Sequence, residues 1–332
     1  MSLNIAVIGT GWFGKKHAEM LAQMEDVRIA GFVGTSKAKA EAAAQPFSGA
    51  NGYDDAEELL DRERPDAVYV TVPPMAHGDL ELSLIERGIP FLVEKPLAAT
   101  AETPARILKR LRERPVVHSV GYHLRYLDSV VELKKRLDGC AVGMVTGGWM
   151  GGMPGVYWWR NQEMSGGQFV EQTTHLADLL RYTAGEVREV YAAFGNRLLH
   201  ETVEGFTASD VGAVTLTMES GAVASLSNTC LLPNGAARVE MVYYTDQGIL
   251  DWKRERLETT GGGWTNVFRD ARDPYRLENE AFLHAVRTGD ASRIRSDYED
   301  AWRTHLVTIA ANESARTGRP VRIADVEAAA LA

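Results

Sequence analysis

Leu3-Asn4-Ile5-Ala6-Val7-Ile8-Gly9-Thr10-Gly11-Trp12-Phe13-Gly14 is the stretch that decides how the rest of the chain is read. Leu3–Ile8 is short and almost unbroken apolar, which suits a strand covered on both faces of a parallel sheet. A Gly-x-Gly-x-x-Gly follows at once, and a helical pattern over Lys15–Met24 comes after it. Strand, glycine turn and helix together are the context in which this motif means dinucleotide binding and not merely a tight turn. Its chemistry belongs to the backbone. Gly9 permits the turn, Gly11 lets a pyrophosphate approach the main chain, and Gly14 lets the helix pack on the strand. The helix start adds free N–H groups and the positive end of its dipole. Gly9, Gly11, Trp12, Phe13 and Gly14 are therefore the expected dinucleotide contacts.

Outward from this stretch the pattern repeats. Strand candidates Val27–Val33, Ala67–Val72, Ile89–Val93 and Val116–Val120 alternate with helical patterns at Ser36–Ala44, Asp79–Arg87 and Pro104–Arg112. Such alternation predicts βαβ crossovers and a parallel sheet. After Gly121 the texture changes. A helical pattern at Ser129–Leu137 precedes strands at Ala141–Trp149, Val187–Phe194, Val211–Met218, Ala222–Asn228 and Arg238–Thr245. Turn signals at Ser220-Gly221, Asn234-Gly235 and Gln247-Gly248 separate the later strands, as in a largely antiparallel sheet. Helical patterns Leu277–Arg287 and Asp297–Arg316 follow, with Gly289 and Gly318 as stop residues, and the Ala-rich tail is read as partly disordered. The expected fold class is α/β. A Rossmann dinucleotide-binding domain spans residues 1–121. An α+β domain with a mostly antiparallel sheet spans 122–332.

Composition excludes several classes. The 332 residues suit two domains at ~100–200 residues each. Two distant cysteines, Cys140 and Cys230, make neither a disulfide scaffold nor a cysteine zinc site, and they fit a cytoplasmic setting. The net charge of −9 speaks against nucleic acid. The uncharged stretch Gly139–Trp159 is long enough to mimic a membrane span, but its glycines and Pro154 read as a strand followed by a flexible loop. No membrane association is expected.

The second strand ends Phe32-Val33-Gly34-Thr35-Ser36-Lys37, without the carboxylate that would take a ribose 2′-hydroxyl. Thr35, Ser36 and Lys37 suit a 2′-phosphate, so NADP is expected ahead of NAD. Capping of the next helix by Thr35 or Ser36 is a compatible reading. Thr71-Val72-Pro73-Pro74-Met75-Ala76-His77 and Val93-Glu94-Lys95-Pro96-Leu97 both lie at carboxyl ends of predicted parallel strands, where open α/β sheets bind ligands. Pro73, His77 and Glu94 are assigned to the cofactor. Lys95 is the group able to hydrogen-bond a substrate oxygen, and Pro96 invites a rigid or cis turn. The alternative for Lys95 is an ordinary surface lysine.

In Ser165–Asp178, a helix entered near Glu171 would bring Glu171, His175 and Asp178 within an arc of about 60°. That stripe is either a solvated face or a catalytic face in a cleft, and the pattern alone tilts to the former. Glu and His at i, i+4 also suit a cation, but no third ligand of clear spacing appears, so no metal is expected.

Gly9–Gly14, the Thr71 run, Glu94-Lys95-Pro96, Val120-Gly121-Tyr122-His123-Leu124-Arg125-Tyr126, the His175 segment and Arg316-Thr317-Gly318-Arg319-Pro320-Val321 occur in one order along nearly the whole chain. In this the sequence resembles the glucose–fructose oxidoreductase/inositol dehydrogenase (Gfo/Idh/MocA) family. The resemblance implies NAD or NADP as cofactor, sugars, inositols and related polyols as substrates, and residues 122–332 as a substrate-binding and oligomerisation domain whose large open, mostly antiparallel sheet joins a homodimer or homotetramer. It matches Lys95 to the family's catalytic lysine and His175 to its acid/base histidine. Glu171 falls where an aspartate is more usual, and Asp178 at a further acidic position. Arg125 falls at a recurrent arginine, structural or substrate-facing.

The chemistry agrees. Alcohol oxidation needs a hydride acceptor and a base, and an imidazole exchanges protons near neutral pH. An ammonium stabilises a developing alkoxide. Tyr157-Trp158-Trp159-Arg160 offers indole faces and a cation to a sugar, or else a packing cluster. Tyr122, Arg125, Trp159, Arg160 and Asp178 are the substrate-facing candidates, and His118 reads as a core histidine. Two other readings stay open: a nucleotide-sensing regulator without catalysis, and an NAD-dependent glycosidase-type enzyme with no net redox change.

Overall fold

The computed structural model describes residues 2–332, which form two compact units. The first comprises the chain up to Leu97, Thr103–Tyr122 and Tyr275–Asp300. The second comprises Ala98–Glu102, His123–Pro274 and Ala301–Ala332. The expected boundary after Gly121 falls one residue short of this division. The returning segment Tyr275–Asp300 lay outside the expected 1–121 domain, because a helix that packs on a distant sheet carries no mark of which sheet that is.

In the first unit, β1 (Leu3–Ile8), β2 (Val27–Val33), β3 (Asn51–Tyr53), β4 (Ala67–Val70), β5 (Phe91–Val93) and β6 (His118–Val120) form one parallel sheet in the order β3-β2-β1-β4-β5-β6. Helices α1 (Trp12–Leu21), α2 (Lys37–Ala44), α3 (Ala56–Glu63), α4 (Asp79–Arg87) and α5 (Glu102–Glu113) make the connections. Their apolar stripes and the central strands bury Ile5, Val7, Leu21, Phe32, Tyr69 and Leu92. Phe282 and Leu283, from the helix Pro274–Thr288, complete that core. The order reverses between β1 and β4, so the chain leaves these two strands on opposite sides and opens a crevice at their carboxyl ends. The pair β3 and α3 was not read from the sequence. Three strand residues carry no period, and α3 buries only Leu59 and Leu60.

The second unit is a nine-stranded sheet of β7 (Val142–Met150), β8 (Val187–Gly195), β9 (Val211–Met218), β10 (Val223–Thr229), β11 (Arg238–Thr245), β12 (Gly248–Lys253), β13 (Arg256–Gly261), β14 (Trp264–Arg269) and β15 (Val321–Arg322). Its order is β14-β13-β12-β11-β7-β10-β9-β8-β15, antiparallel throughout except for the parallel pair β7 and β10. Helices α6 (Asp128–Leu137), α7 (Gln162–Ser165), α8 (Gln168–Glu171) and α9 (Thr174–Ala184) belong to this unit. One sheet face carries α6 and α9, and Leu133, Leu176, Leu179 and Leu180 pack there with Val145, Leu216, Met241 and Trp252. The sequence pattern does not single out β12–β14: β14 is exposed along almost its whole length, and β12 and β13 are six residues each with only two buried positions. The Ala-rich tail, read as partly disordered, is the helix Ile323–Leu331, since alanine is the best helix former. Among the described residues no helix is long and apolar enough to cross a membrane.

Candidate active site

The first unit carries the glycine loop and the strand-end residues after β2, β4 and β5. Gly9 stands at φ 121°, where only glycine is relaxed, and a Cβ there would lie 2.5 Å from the Thr71 carbonyl oxygen. A Cβ at Gly14 would lie 2.3 Å from the Gly9 carbonyl oxygen. Around Gly11, by contrast, a Cβ would meet nothing within 4 Å. Two glycines are thus fixed by packing while the third faces open space at the start of α1, the arrangement a pyrophosphate needs. Trp12 is 65% exposed there, edge-on to Phe13. The residues present fit a nicotinamide dinucleotide.

At the end of β2, Ser36 caps α2 by accepting the Lys39 backbone N–H at 3.4 Å. The Lys39 ammonium donates to Thr35 Oγ1 at 3.0 Å. Lys39 was missing from the sequence reading, and its i+4 spacing from Thr35 on a helix start was the signal for it. After β4, Pro73 opens a short 3₁₀ turn. His77 behind it is turned inward, its Nδ1 on Glu81 Oε1 at 2.5 Å. After β5, the Lys95–Pro96 peptide is cis. Lys95 is 9% exposed, with Nζ 5.9 Å from the Phe13 ring of the glycine loop. Glu94, assigned to the cofactor by sequence, has its oxygens on His17 and on the Lys95 backbone N–H. Tyr122 is buried at 1% exposure. His118 starts β6 with Nδ1 on the Val116 carbonyl at 2.8 Å, and burial holds its pKa below the ordinary value, as befits a packing histidine.

The second unit carries Glu171, His175 and Asp178. Gly166 and Gly167, both at positive φ, set up α8. This helix does not continue into α9. The N–H of Thr173 bonds the Gln168 carbonyl five residues back, and those of His175 and Leu176 then bond only three back, so the helix loses register between Glu171 and His175. The single-helix arc expected for Glu171, His175 and Asp178 is therefore corrected. All three are nonetheless buried, so the solvated-face reading is set aside. The His175 ring stacks on Trp149 of β7, centroids 5.7 Å apart and planes 19° apart, and meets His123 edge-on at 4.8 Å. Trp149 and His123 were not among the assigned residues, and an aromatic in a strand gives no sequence sign of what it stacks on.

Glu171 accepts the indole N–H of Trp159 at 2.6 Å. Trp159 itself is fully buried with Phe206, Ala208 and Cys230, so of the two readings of the Tyr157–Arg160 segment the packing one holds for Trp159. Arg160 donates to the Glu204 carbonyl at 2.9 Å. Asp178 and Arg125 hold each other through two hydrogen bonds of 2.6 and 2.8 Å, and Thr304 adds a third donor to Asp178 at 2.9 Å.

Residues 3–122 match the family model described as the oxidoreductase family with an NAD-binding Rossmann fold, and residues 140–251 match the Gfo/Idh/MocA C-terminal domain. The chain belongs to the Gfo/Idh/MocA family. Members similar to it over nearly their whole length include scyllo-inositol 2-dehydrogenase (NAD(+)) of Bacillus subtilis, at 26% identity over 96% of this chain and 95% of that one. D-xylose 1-dehydrogenase (NADP(+)) 2 of Haloferax volcanii is also 26% identical, over 96% and 98%. Among solved structures, levoglucosan dehydrogenase in complex with NADH superposes with a TM-score of 0.89 at 19% identity, over 97% and 99% of the two chains. As a Gfo/Idh/MocA member the chain is an NAD(P)-dependent oxidoreductase of the kind that acts on CH–OH groups.

Proposed function

We propose that this dehydrogenase moves a hydride between a secondary alcohol of a sugar, inositol or related polyol and a nicotinamide dinucleotide, with NADP(H) preferred. The observation that carries the reading is Lys95: a little-exposed ammonium at the carboxyl end of β5, beside the Phe13 ring of the glycine loop. The cofactor, when bound, supplies the hydride acceptor. Lys95 stabilises the developing alkoxide, and His175 takes the hydroxyl proton. The stacking of Trp149 on the His175 ring sets the direction of its nitrogens, and Trp159 orients the Glu171 carboxylate. Tyr122 and Arg160 are assigned to substrate. Arg125 and Asp178 frame the histidine helix through their mutual ion pair. The presence of both Lys95 and His175 speaks for this reading over a sensor, which needs neither.

The NADP preference rests on crowding at Gly34 as well as on charge. A Cβ there would lie 2.9 Å from the Thr10 methyl and 3.2 Å from the Ala40 nitrogen, so a carboxylate would have to displace the Thr10 side chain. Thr35, Ser36, Lys37 and Lys39 offer hydroxyls and cations instead. Calorimetric titration is expected to give tighter binding of NADP⁺ and NADPH than of NAD⁺ and NADH. Lys39→Ala is expected to weaken NADP(H) by about 1.5–3 kcal/mol, the worth of a hydrogen bond to a charged group, and to leave NAD(H) unchanged. Tighter NAD(H) binding by the parent would make Thr35 and Ser36 caps alone.

The sheet of the second unit also presents a free apolar row. Val223 pairs with Met144, Met144 with Tyr244, and Tyr244 with Ile249, across β10, β7, β11 and β12. All four are 40–44% exposed, on the side opposite Val145 and Tyr243 of the core. Directly paired residues share a face, so the row is continuous. We assign it to contact with a second copy of the chain. Sedimentation equilibrium should find a dimer or tetramer, reduced to monomer by Met144→Glu with Tyr244→Glu. A parent that is monomeric at micromolar concentration would rule the assignment out.

A further inference from the structure

His17 is a wholly buried group that no step above uses. It lies on α1, one turn beyond the glycine loop. Its Nδ1 meets the Asn279 side-chain oxygen at 2.9 Å, and its Nε2 meets Glu94 Oε1 at 3.0 Å. An ionised carboxylate only accepts, so Nε2 carries the proton in that bond, and a ring protonated at Nε2 alone takes its Nδ1 hydrogen bond from the Asn279 amide NH2 in the turned orientation. The second Glu94 oxygen accepts the backbone N–H of Lys95 at 3.2 Å. Gly121 closes the remaining side, since a Cβ there would lie 2.7 Å from Glu94 Oε2. The other titratable groups around His17 are Glu278, Tyr69 with its ring 5.2 Å away, and Tyr275 at 6.2 Å. Ligand atoms of His17, Glu94 and Glu278 lie within 4.8 Å of one another, but the direct N–H···O bond fills the place a cation would take between the first two.

We propose that His17 is a positioning residue for Lys95. It holds the Glu94 carboxylate, and the carboxylate holds the main chain from which the Lys95 ammonium projects. The proposal rests on the reading of Lys95 as the alkoxide-stabilising group. Without His17, Glu94 keeps a buried oxygen without its donor and turns to find another, and the Lys95 N–H loses its acceptor. A shift of ~1 Å at a reacting group costs on the order of 10²-fold in rate.

The test is a double-mutant cycle read in steady-state and single-turnover rates, with cofactor Kd by calorimetry and Tm recorded for every variant. His17→Leu is expected to lower kcat by about 30–100-fold, while cofactor Kd moves less than ~3-fold. His17→Gln keeps an N–H donor toward Glu94 and is expected within about fivefold of the parent. His17→Asn, too short to reach Glu94, substitutes for the leucine variant should that one not fold. In a Lys95→Ala background, His17→Leu is expected to change the residual rate less than ~3-fold, because residues acting as a unit are non-additive. The proposal is overturned by parental kcat in His17→Leu, by failure of a stably folded His17→Gln to recover rate, or by losses that multiply in the cycle. If Lys95→Ala alone keeps parental turnover, the reading of Lys95 falls instead. That result differs from one in which Lys95→Ala is inactive and His17→Leu is not.

Discussion

Lys95→Ala is expected to lower kcat by ~10²–10³, the loss that follows removal of one preorganised donor from a developing oxyanion. His175→Ala is expected to lower it by ~10²–10⁴, the range for loss of a general acid/base. Cofactor affinity should survive in both, because the glycine loop that would hold the pyrophosphate is built from Gly9, Gly14 and the Thr71 backbone, none of which touches either side chain's role. The pair should be non-additive, since an alkoxide without a base and a base without a stabilised alkoxide fail at the same step. The measurement is initial rate with a panel of inositols, sugars and polyols, alongside titration with the dinucleotide. Unchanged turnover in both variants would remove the proposed chemistry.

Arg125→Met is expected to cost about 3–5 kcal/mol of stability, because it leaves a buried carboxylate without its cation. Asp178 is fully buried, and Arg125 is 2% exposed. Thr304 gives Asp178 one more hydrogen bond, too little to replace a guanidinium fork. Replacing both partners, Arg125→Met with Asp178→Leu, should recover most of the loss, since an apolar pair of similar volume avoids the desolvation of two ions. Urea denaturation of the three variants checks this. The same set separates two roles for the pair. If the double variant regains stability and keeps KM, the pair serves the framework alone. If it regains stability while KM rises tenfold or more, a member of the pair touches substrate.

How far the residues announced this structure depends on what each segment had to signal. The parallel sheet was legible because βαβ units write two periods in alternation, and Leu3–Gly14 holds strand, turn and helix start in twelve residues. The place of Lys95 just past the carboxyl end of β5 was legible because the apolar strand run stops at Val93. The gaps have physical reasons. Strand β14 is the sheet edge with little to bury, so polar residues serve there as well as apolar ones, and β12 and β13 bury Leu250, Trp252 and Leu257 in runs of only six residues each. The break between Glu171 and His175 comes from backbone hydrogen bonds that change span, and side-chain identity does not encode them. The pairing of Asp178 with Arg125 was not legible, because an aspartate in a helix gives no sign of a partner 53 positions earlier in the chain. Trp149 and Asn279 act through contacts between distant segments, which no local pattern carries.

The division of the first unit into separated stretches sets an order on its synthesis. Ile5 and Val7 emerge first, yet Phe282 and Leu283, which share their core, emerge last. Asn279, which meets His17, and Ser296, whose carbonyl accepts the Val120 N–H, are equally late. At ~5–20 residues per second, the ribosome needs on the order of ten seconds or more to travel from Tyr122 to that helix. Throughout that interval the six-stranded sheet stands with part of one apolar face bare. A fragment cut after Tyr122 would lack the Phe282 and Leu283 packing on that core permanently.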